Sequence, residues 1–435
     1  MSDSDHQENY DENYFLDLMK NKKVCFSKWR WTSVLLQQGS TRSCFRTSQD
    51  FFDPNNLGDF HNMPIQLQTR QDMLDGKWPG HGCEYCKDIE DSGGVSDRMD
   101  FNLSSNNGNI PPELFKNNRA VSVTPTLIEV SLNNVCNMSC VYCGPAYSSA
   151  WEAEENANSS DRLRPIENLF DQKTYQHVIE QFYSWLDTNL TYLKDLHILG
   201  GEPTHQPELF KLIDILKNHP DTKLDTFRIF TNLKVSRKKL TLLCDTLNNL
   251  IDNGNIKEVI ITVSLDCWGE SQKYLRTGLD LKQTDDNLTY VSNTYPNIYI
   301  HVHGTITALT IPTISDLVYK IVELNKTRTV SEITADWSLV EEYDHLHPKI
   351  MPVGFYDTWL DSLINILGEH NIKYGVKTKF ETYKQYLNSV DPDFEKIKEL
   401  IQYLDKLDDR RNTNWRNTFP WFADFVDTDV ISNNT

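Results

Sequence analysis

Apolar positions between residues 120 and 340 follow two alternating periods. Short runs rich in Val, Ile, Leu and Thr at 126–132, 193–199, 226–231, 258–265 and 298–306 read as strands, with a weaker sixth at 332–339. Between them, apolar residues at three- and four-residue spacing predict helices at 175–186, 208–216, 238–250, 286–295 and 313–324. Strands that alternate with helices return to the same sheet by crossover. The pattern therefore predicts a parallel α/β sheet with functional groups at the carboxyl ends of its strands. Beyond about residue 340 it changes to acidic, aromatic helices at 356–367, 377–387 and 393–407, followed by Phe419-Pro420-Trp421-Phe422. This predicts a helical C-terminal extension whose aromatic tail docks by burying large apolar area.

Upstream the periodicity is weaker. Residues 1–14 read as a frayed acidic tail, and 104–109 as a linker. The run Cys25-Phe-Ser-Lys-Trp29-Arg-Trp31-Thr-Ser-Val-Leu-Leu predicts a half-buried strand ending at Gln37-Gln38-Gly39, with Ser43-Cys44-Phe45 in its hairpin partner. Trp78-Pro79-Gly80-His81-Gly82 predicts an irregular loop leading into Cys83-Glu-Tyr-Cys86. The polar stretch from Glu90 to Arg98 reads as solvated turns, with Arg98 either a surface charge or a contact for an anionic substrate. Three regions follow: 15–110, cysteine-rich; 120–340, the α/β core; 341–435, the helical extension.

Composition narrows the classes. With 435 residues, 39% hydrophobic and 24% charged, the chain has room for two or three folded domains. A net charge of −19 argues against a broad nucleic-acid surface, which needs clustered Lys and Arg. Arg410, Arg411 and Arg416 beside Trp415 are the local exception, and a helix end with neutralised carbonyls explains them as well. Residues 1–20 contain no signal-peptide core, and no apolar run is long enough to span a bilayer, so a cytoplasmic location without membrane contact is expected. In that reducing compartment, nine cysteines point to metal ligation before disulfides. Seven fall into two groups. Cys244 reads as a helix-face residue, and Cys267 as a small buried side chain near the proposed site.

The first group is Cys136-Asn-Met-Ser-Cys140-Val-Tyr-Cys143, directly after the first predicted strand of the core. Three thiols in one tight loop can converge on a soft metal centre, and three is one short of the four ligands that close an iron-sulfur cluster or a zinc site. A zinc knuckle completed by a histidine is the alternative. After the second strand comes Gly200-Gly201-Glu202-Pro203, where glycines permit close backbone approach, Glu202 supplies negative charge and Pro203 fixes the exit. Thr231-Asn232 and Ser264-Leu265-Asp266 end the third and fourth strands, as caps or as ligand contacts.

The C-x3-C-x2-C spacing, with Tyr142 before its last cysteine, resembles the signature of the radical S-adenosylmethionine enzymes, and Gly200 to Pro203 matches that family's GGEP motif. The resemblance implies a partial (β/α)6 TIM-like barrel and a [4Fe-4S] cluster on Cys136, Cys140 and Cys143, with S-adenosylmethionine on its open iron. It also implies reductive cleavage to a 5'-deoxyadenosyl radical that abstracts hydrogen, the electron coming from a donor such as ferredoxin or flavodoxin. The cofactor contacts it implies are Tyr142, Gly200, Gly201, Glu202, Pro203, Thr231, Asn232, Ser264 and Asp266. Arg276 would pair with the cofactor carboxylate, and Gly304, after His303, would approach the adenine. No catalytic residue beyond the cluster ligands is assigned. Cys25-x13-Gly39-x4-Cys44 is similar to the start of the auxiliary modules called SPASM and twitch, although those usually follow the barrel. With Cys83 and Cys86 it implies a twitch-like domain holding one auxiliary [4Fe-4S] cluster, and a four-cysteine zinc ribbon remains the alternative. Relatives with such modules often oxidise or cross-link peptides, which implies an oxidoreductase acting on a peptide or protein. Nucleotide or small-metabolite modification is the second expectation. A noncatalytic iron-sulfur or zinc-binding interaction protein is the third.

Overall fold

The computed structural model describes residues 21–80, 82–104, 120–370, 372 and 375–428. The expected acidic tail at 1–14, and the expected linker apart from Ser104, lie outside them. In chain order the strands are β1 (Trp31–Leu35), β2 (Ser40–Arg42), β3 (Asp50–Phe51), β4 (Leu127–Ser131), β5 (Ser139–Cys140), β6 (Asp195–Leu199), β7 (Leu224–Thr231), β8 (Ile256–Ser264), β9 (Arg276–Thr277), β10 (Ile298–Ile306) and β11 (Thr334–Leu339). Two compact units interleave along the chain. The first comprises Met1–Leu132, Asn168–His197 and Asp214–Asp225, and the second Asn133–Glu167, Ile198–Ile213 and Thr226–Thr435. β6 and β7 each begin in the first unit and end in the second.

In the first unit the hydrogen-bonded order is β6-β4-β1-β2-β3. β1 runs parallel to β4, with Trp31 opposite Leu127, and antiparallel to β2. The hairpin turn holds Gly39 at φ +68°, and a Cβ there would come within 2.2 Å of the Phe170 ring. Only glycine fits. The strand expected from Cys25 starts six residues later, because Ser27–Arg30 is a helical turn. Within the turn Lys28 N–H returns to the Cys25 carbonyl, and from 76 residues away Asn102 Oδ1 accepts from Phe26 N–H. β1 itself is buried along its whole length, since it is a central strand. β2 stops at Arg42, so Cys44 lies just beyond the hairpin.

Residues 78–80 and 82 are irregular, as expected, and lead into a helix. Cys83 precedes the helix Glu84–Asp91, and Cys86 sits in its first turn. Glu84 Oε2 accepts from Gly82 N–H at 2.7 Å, closing the chain into that turn. Arg98, expected in solvent or on a substrate, is buried within the helix Asp97–Ser104. Its guanidinium donates to both Glu90 oxygens and to the Val24 carbonyl, so its charge is already compensated.

In the second unit the order is β11-β10-β8-β7, followed by the end of β6. β10 is parallel to both β8 and β11, which puts His303 opposite Ser264 on one side and Asp336 on the other. Helices Arg237–Asp252, Leu281–Thr294 and Ile314–Asn325 follow β7, β8 and β10 in turn. Neighbours in the sheet are therefore successive in sequence, which is the β/α repeat that the periodicity predicts. Val259, Ile261 and Val263 on one face of β8 are buried, and so is Thr262 on the other.

The C-terminal helices Asp357–His370, Val376–Leu387 and Phe394–Arg411 fall within a few residues of the expected ones. Trp415, Phe419 and Phe422 are fully buried, as the docking tail requires. The arginines that hinted at a nucleic-acid surface are engaged internally. Arg410 pairs with Glu155, Arg411 with Glu154 and Arg416 with Asp405. Among the described residues, no helix is long and apolar enough to cross a membrane.

Candidate functional site

The Cys136 to Cys143 loop belongs wholly to the second unit. Cys140 is buried, Cys136 and Cys143 are half-buried, and all three sulfurs share an apolar cluster with Met138, Tyr142, Leu279 and Leu281. The loop's shape is fixed through its carbonyls. Trp151 Nε1 donates to the Cys140 carbonyl at 2.7 Å, Tyr403 Oη to that of Val141 at 2.6 Å, and Ser148 Oγ to that of Met138 at 2.6 Å. Cys140 also pairs with Arg276 across the two-stranded antiparallel ladder of β5 and β9. Burial pushes the Cys136 thiol up to about 12, and Cys140 beside it adds to the shift. Cys143 is raised by burial and then by both other cysteines, so the three sulfurs act on one another.

Among the described residues, no three Cys, His, Asp or Glu side chains are gathered closely enough to hold a single metal ion. A four-iron cluster takes each thiolate on a different iron, so its ligands surround a space instead of meeting at a point. Three mutually interacting sulfurs on a rigid, apolar-backed loop fit that demand. As thiolates are the ligating form, loading would release the three thiol protons.

Two buried carboxylates organise the strand ends around the loop. Glu202 Oε1 accepts from Thr204 N–H and from the hydroxyls of Thr204 and Thr231, while Oε2 accepts from Asn232 N–H at 2.7 Å. The carboxylate is thus a clamp between the turn Pro203–His205 and the end of β7. Gly201 is required for close approach, because a Cβ would stand 2.3 Å from the Val135 carbonyl oxygen. Its N–H reaches the Asn133 carbonyl, and Glu202 N–H that of Val135, tying this turn to the cysteine loop. Gly200 sits at φ +110°, a conformation that glycine adopts without strain. Asn232 Nδ2 donates to Asn137 Oδ1 inside the loop.

Asp266 is the second hub. Arg276 grips it with two bonds of 2.8 and 3.0 Å, Tyr142 Oη donates to it at 2.7 Å, and Thr305 N–H at 2.8 Å. Arg276, expected on a cofactor carboxylate, thus spends two of its donors on Asp266, and its Nη1 lies 4.0 Å from Cys140 Sγ. Burial alone would lower the Arg276 guanidinium, but Asp266 more than reverses this, and the group stays charged. Tyr142 is held well above its usual range, by burial first, so its hydroxyl keeps its proton. Gly304 is needed for close packing within the unit. A Cβ there would meet the Trp337 ring at 2.4 Å, and Trp337 Nε1 donates to the Asp266 backbone carbonyl. Ser264 ends β8 half-buried opposite His303, whereas Thr231 and Asn232 are drawn into the Glu202 clamp. Cys244 and Cys267 are both buried, and Cys267 lies against Gln272 Oε1.

The first unit gathers the second cysteine group. Cys25, Cys44, Cys83 and Cys86 line one cavity of about 210 Å³, together with Lys28, Trp31, Trp78 and Phe101. Burial pushes Cys25 up to about 12, and Lys28 opposes the shift. Four sulfurs around one cavity fit a cluster on the same grounds as the loop.

Several residues at these sites carried no signal in the sequence. Trp337 donates to the Asp266 carbonyl from 71 residues away, and Tyr403 to the Val141 carbonyl from 262. No local spacing marks such partners.

No family model matches the chain, and no curated protein does. Among solved structures it is similar to SuiB from Streptococcus suis at 13% identity and TM-score 0.39, over 78% of this chain and 68% of that one. The S-adenosylmethionine-bound form of SuiB aligns at 14% identity and TM-score 0.39, over 77% of this chain and 68% of that one. Native anSMEcpe with bound AdoMet aligns at 16% identity and TM-score 0.35, over 55% of this chain and 61% of that one. At these values the functional assignment rests on the residues of the site.

Proposed function

We infer that the chain is a radical S-adenosylmethionine enzyme that modifies a peptide or protein, with an auxiliary iron-sulfur centre in its first unit. The three-cysteine loop carries this reading: its sulfurs share one apolar cluster, and its carbonyls are tied down by Ser148, Trp151 and Tyr403. A four-iron cluster with S-adenosylmethionine, when bound, supplies reductive cleavage of the sulfonium and a 5'-deoxyadenosyl radical able to abstract hydrogen.

The chain's own residues would do the rest. Cys136, Cys140 and Cys143 hold the cluster, and the Gly200 to Glu202 turn brings its backbone against the loop, where peptide carbonyls can accept from an ammonium. The Asp266 and Arg276 pair fixes Tyr142 and the Cys140 backbone without leaving a buried charge unpaired. Midway along the pairing of β10 with β11, Lys379 Nζ donates to both Asp336 oxygens, opposite His303, whose pKa burial lowers. These groups are suited to orienting a polar substrate by hydrogen bonds. The peptide class follows from the resemblance of the four-cysteine module to those of peptide-modifying relatives, and a one-electron donor such as ferredoxin or flavodoxin is the implied partner.

Anaerobic reconstitution tests this. The expected result is about eight irons per chain and 5'-deoxyadenosine formed from S-adenosylmethionine on reduction. Iron-loaded, reduced protein that neither binds S-adenosylmethionine nor forms 5'-deoxyadenosine would overturn it.

A further inference from the structure

We propose that Lys28 is the built-in counter-charge of the four-cysteine centre in the first unit and raises its reduction potential. This rests on the cluster assignment made above for that cavity. Lys28 is 3% exposed and lines the cavity with all four cysteines. Its Nζ donates to Ser43 Oγ at 3.1 Å, and among the described residues no carboxylate pairs with it. The other cations of the lining are each paired with a carboxylate, Arg46 with Asp97 at 2.9 Å and Arg98 with Glu90 at 2.6 Å. Glu129, on the same lining, lies with its Oε1 3.4 Å from His197 Nδ1.

A buried ammonium whose bonded partner is a neutral hydroxyl is costly unless the adjoining space carries negative charge. Four thiolates on a four-iron core provide it, because the complex they make is net anionic. The placement of Lys28 is rigid. It follows Cys25 in the helical turn Ser27–Arg30, and its carbonyl accepts from the fully buried Arg70 at 2.8 Å.

Reduction adds one electron to the cluster and neither makes nor breaks an iron-thiolate bond. The donor, a low-potential one-electron reductant, is oxidised by the same electron, and no proton moves. The complex becomes more negative, so its attraction to the fixed ammonium grows on reduction and favours the reduced form. Ser43 orients the ammonium and supplies none of the charge.

The test is a redox titration with dithionite, followed by electron paramagnetic resonance. It uses the full chain reconstituted with iron and sulfide in a C136A/C140A/C143A background, so that only this centre loads. At the midpoint of the Lys28 form, K28M should change the reduced-to-oxidised ratio about tenfold towards the oxidised form, a shift of about 59 mV for one electron. K28Q, which keeps a polar tip for Ser43, should move in the same direction and guards against misfolding of K28M. K28R should restore the original ratio, and S43A should change it less than about threefold. Iron-loaded K28M and K28Q titrating together with the Lys28 form would overturn the proposal. If the unsubstituted chain carries zinc in this cavity, metal analysis shows it, and the cluster assignment falls together with the proposal. Full iron loading with an unshifted potential removes only the role of Lys28.

Discussion

The Cys136 loop draws its sulfurs from eight consecutive residues, whereas the cavity of the first unit takes Cys25 from before β1, Cys44 from beyond β2, and Cys83 and Cys86 from the start of a helix. The loop is shaped by bonds to its own carbonyls from Trp151, Ser148 and Tyr403. The cavity exists only once the hairpin has packed with the helices Pro64–Leu74, Glu84–Asp91 and Asp97–Ser104. Their electrostatics differ too: beside the loop, Arg276 is closed off by Asp266, while Lys28 faces its cavity bonded to a neutral serine. A closed ion pair fixes geometry, and an open cation acts on what enters the cavity.

The largest effect should separate the two centres. C140A is expected to lower 5'-deoxyadenosine formation by about a thousandfold or more, while C83A should keep it within about threefold and lose only the iron of the first unit. Chromatographic product assay with iron analysis checks both. Equal loss in the two variants would mean that the centres cannot be separated.

Next comes the closed pair. D266A leaves Arg276 buried without its partner, and should cost about 3 to 5 kcal/mol in chemical denaturation. D266A/R276M should cost clearly less than the sum of the single changes, and strict additivity would show that the two do not act as a unit. A smaller loss is expected from Y403F, which removes the bond to the Val141 carbonyl: about 1 kcal/mol, read in the same assay.

The smallest effect is on pH. Burial lowers His345, whose ring packs on Tyr403, to about 4, against about 6.5 in the unfolded chain. Its folded pKa is the depressed one, so its contribution is fully present above pH 6.5 and is lost as pH falls towards 4. Discounted for partial exposure, the loss is about 1 kcal/mol. Denaturation midpoints at pH 7 and pH 5 should therefore differ less in H345F. An unchanged difference would separate His345 from the acid response.

Much of the second unit was legible because its signals are local. Strand and helix periods placed β8 and β10 within two residues of their observed ends, and the cysteine motif fell in the loop after β4. The first unit was less legible. The start of β1 was displaced by a helical turn whose cause, Asn102, lies 76 residues away. Arg98 could not be placed from composition, since its partner Glu90 is separated from it by a break between two helices.

The sequence by itself determined the α/β periodicity, the three-cysteine loop, the glycines that the Gly200–Gly201 turn needs, and a second group of four cysteines whose common site rested on resemblance. Only the tertiary structure decided that those four line one cavity, that Arg276 is held by Asp266, that Gly304 makes room for Trp337, and that Lys28 is buried with its ammonium on Ser43. Periods and turns report the backbone's own preferences over a few residues. Charge pairing and the sharing of a cavity depend on which distant segments meet, and no local spacing encodes that.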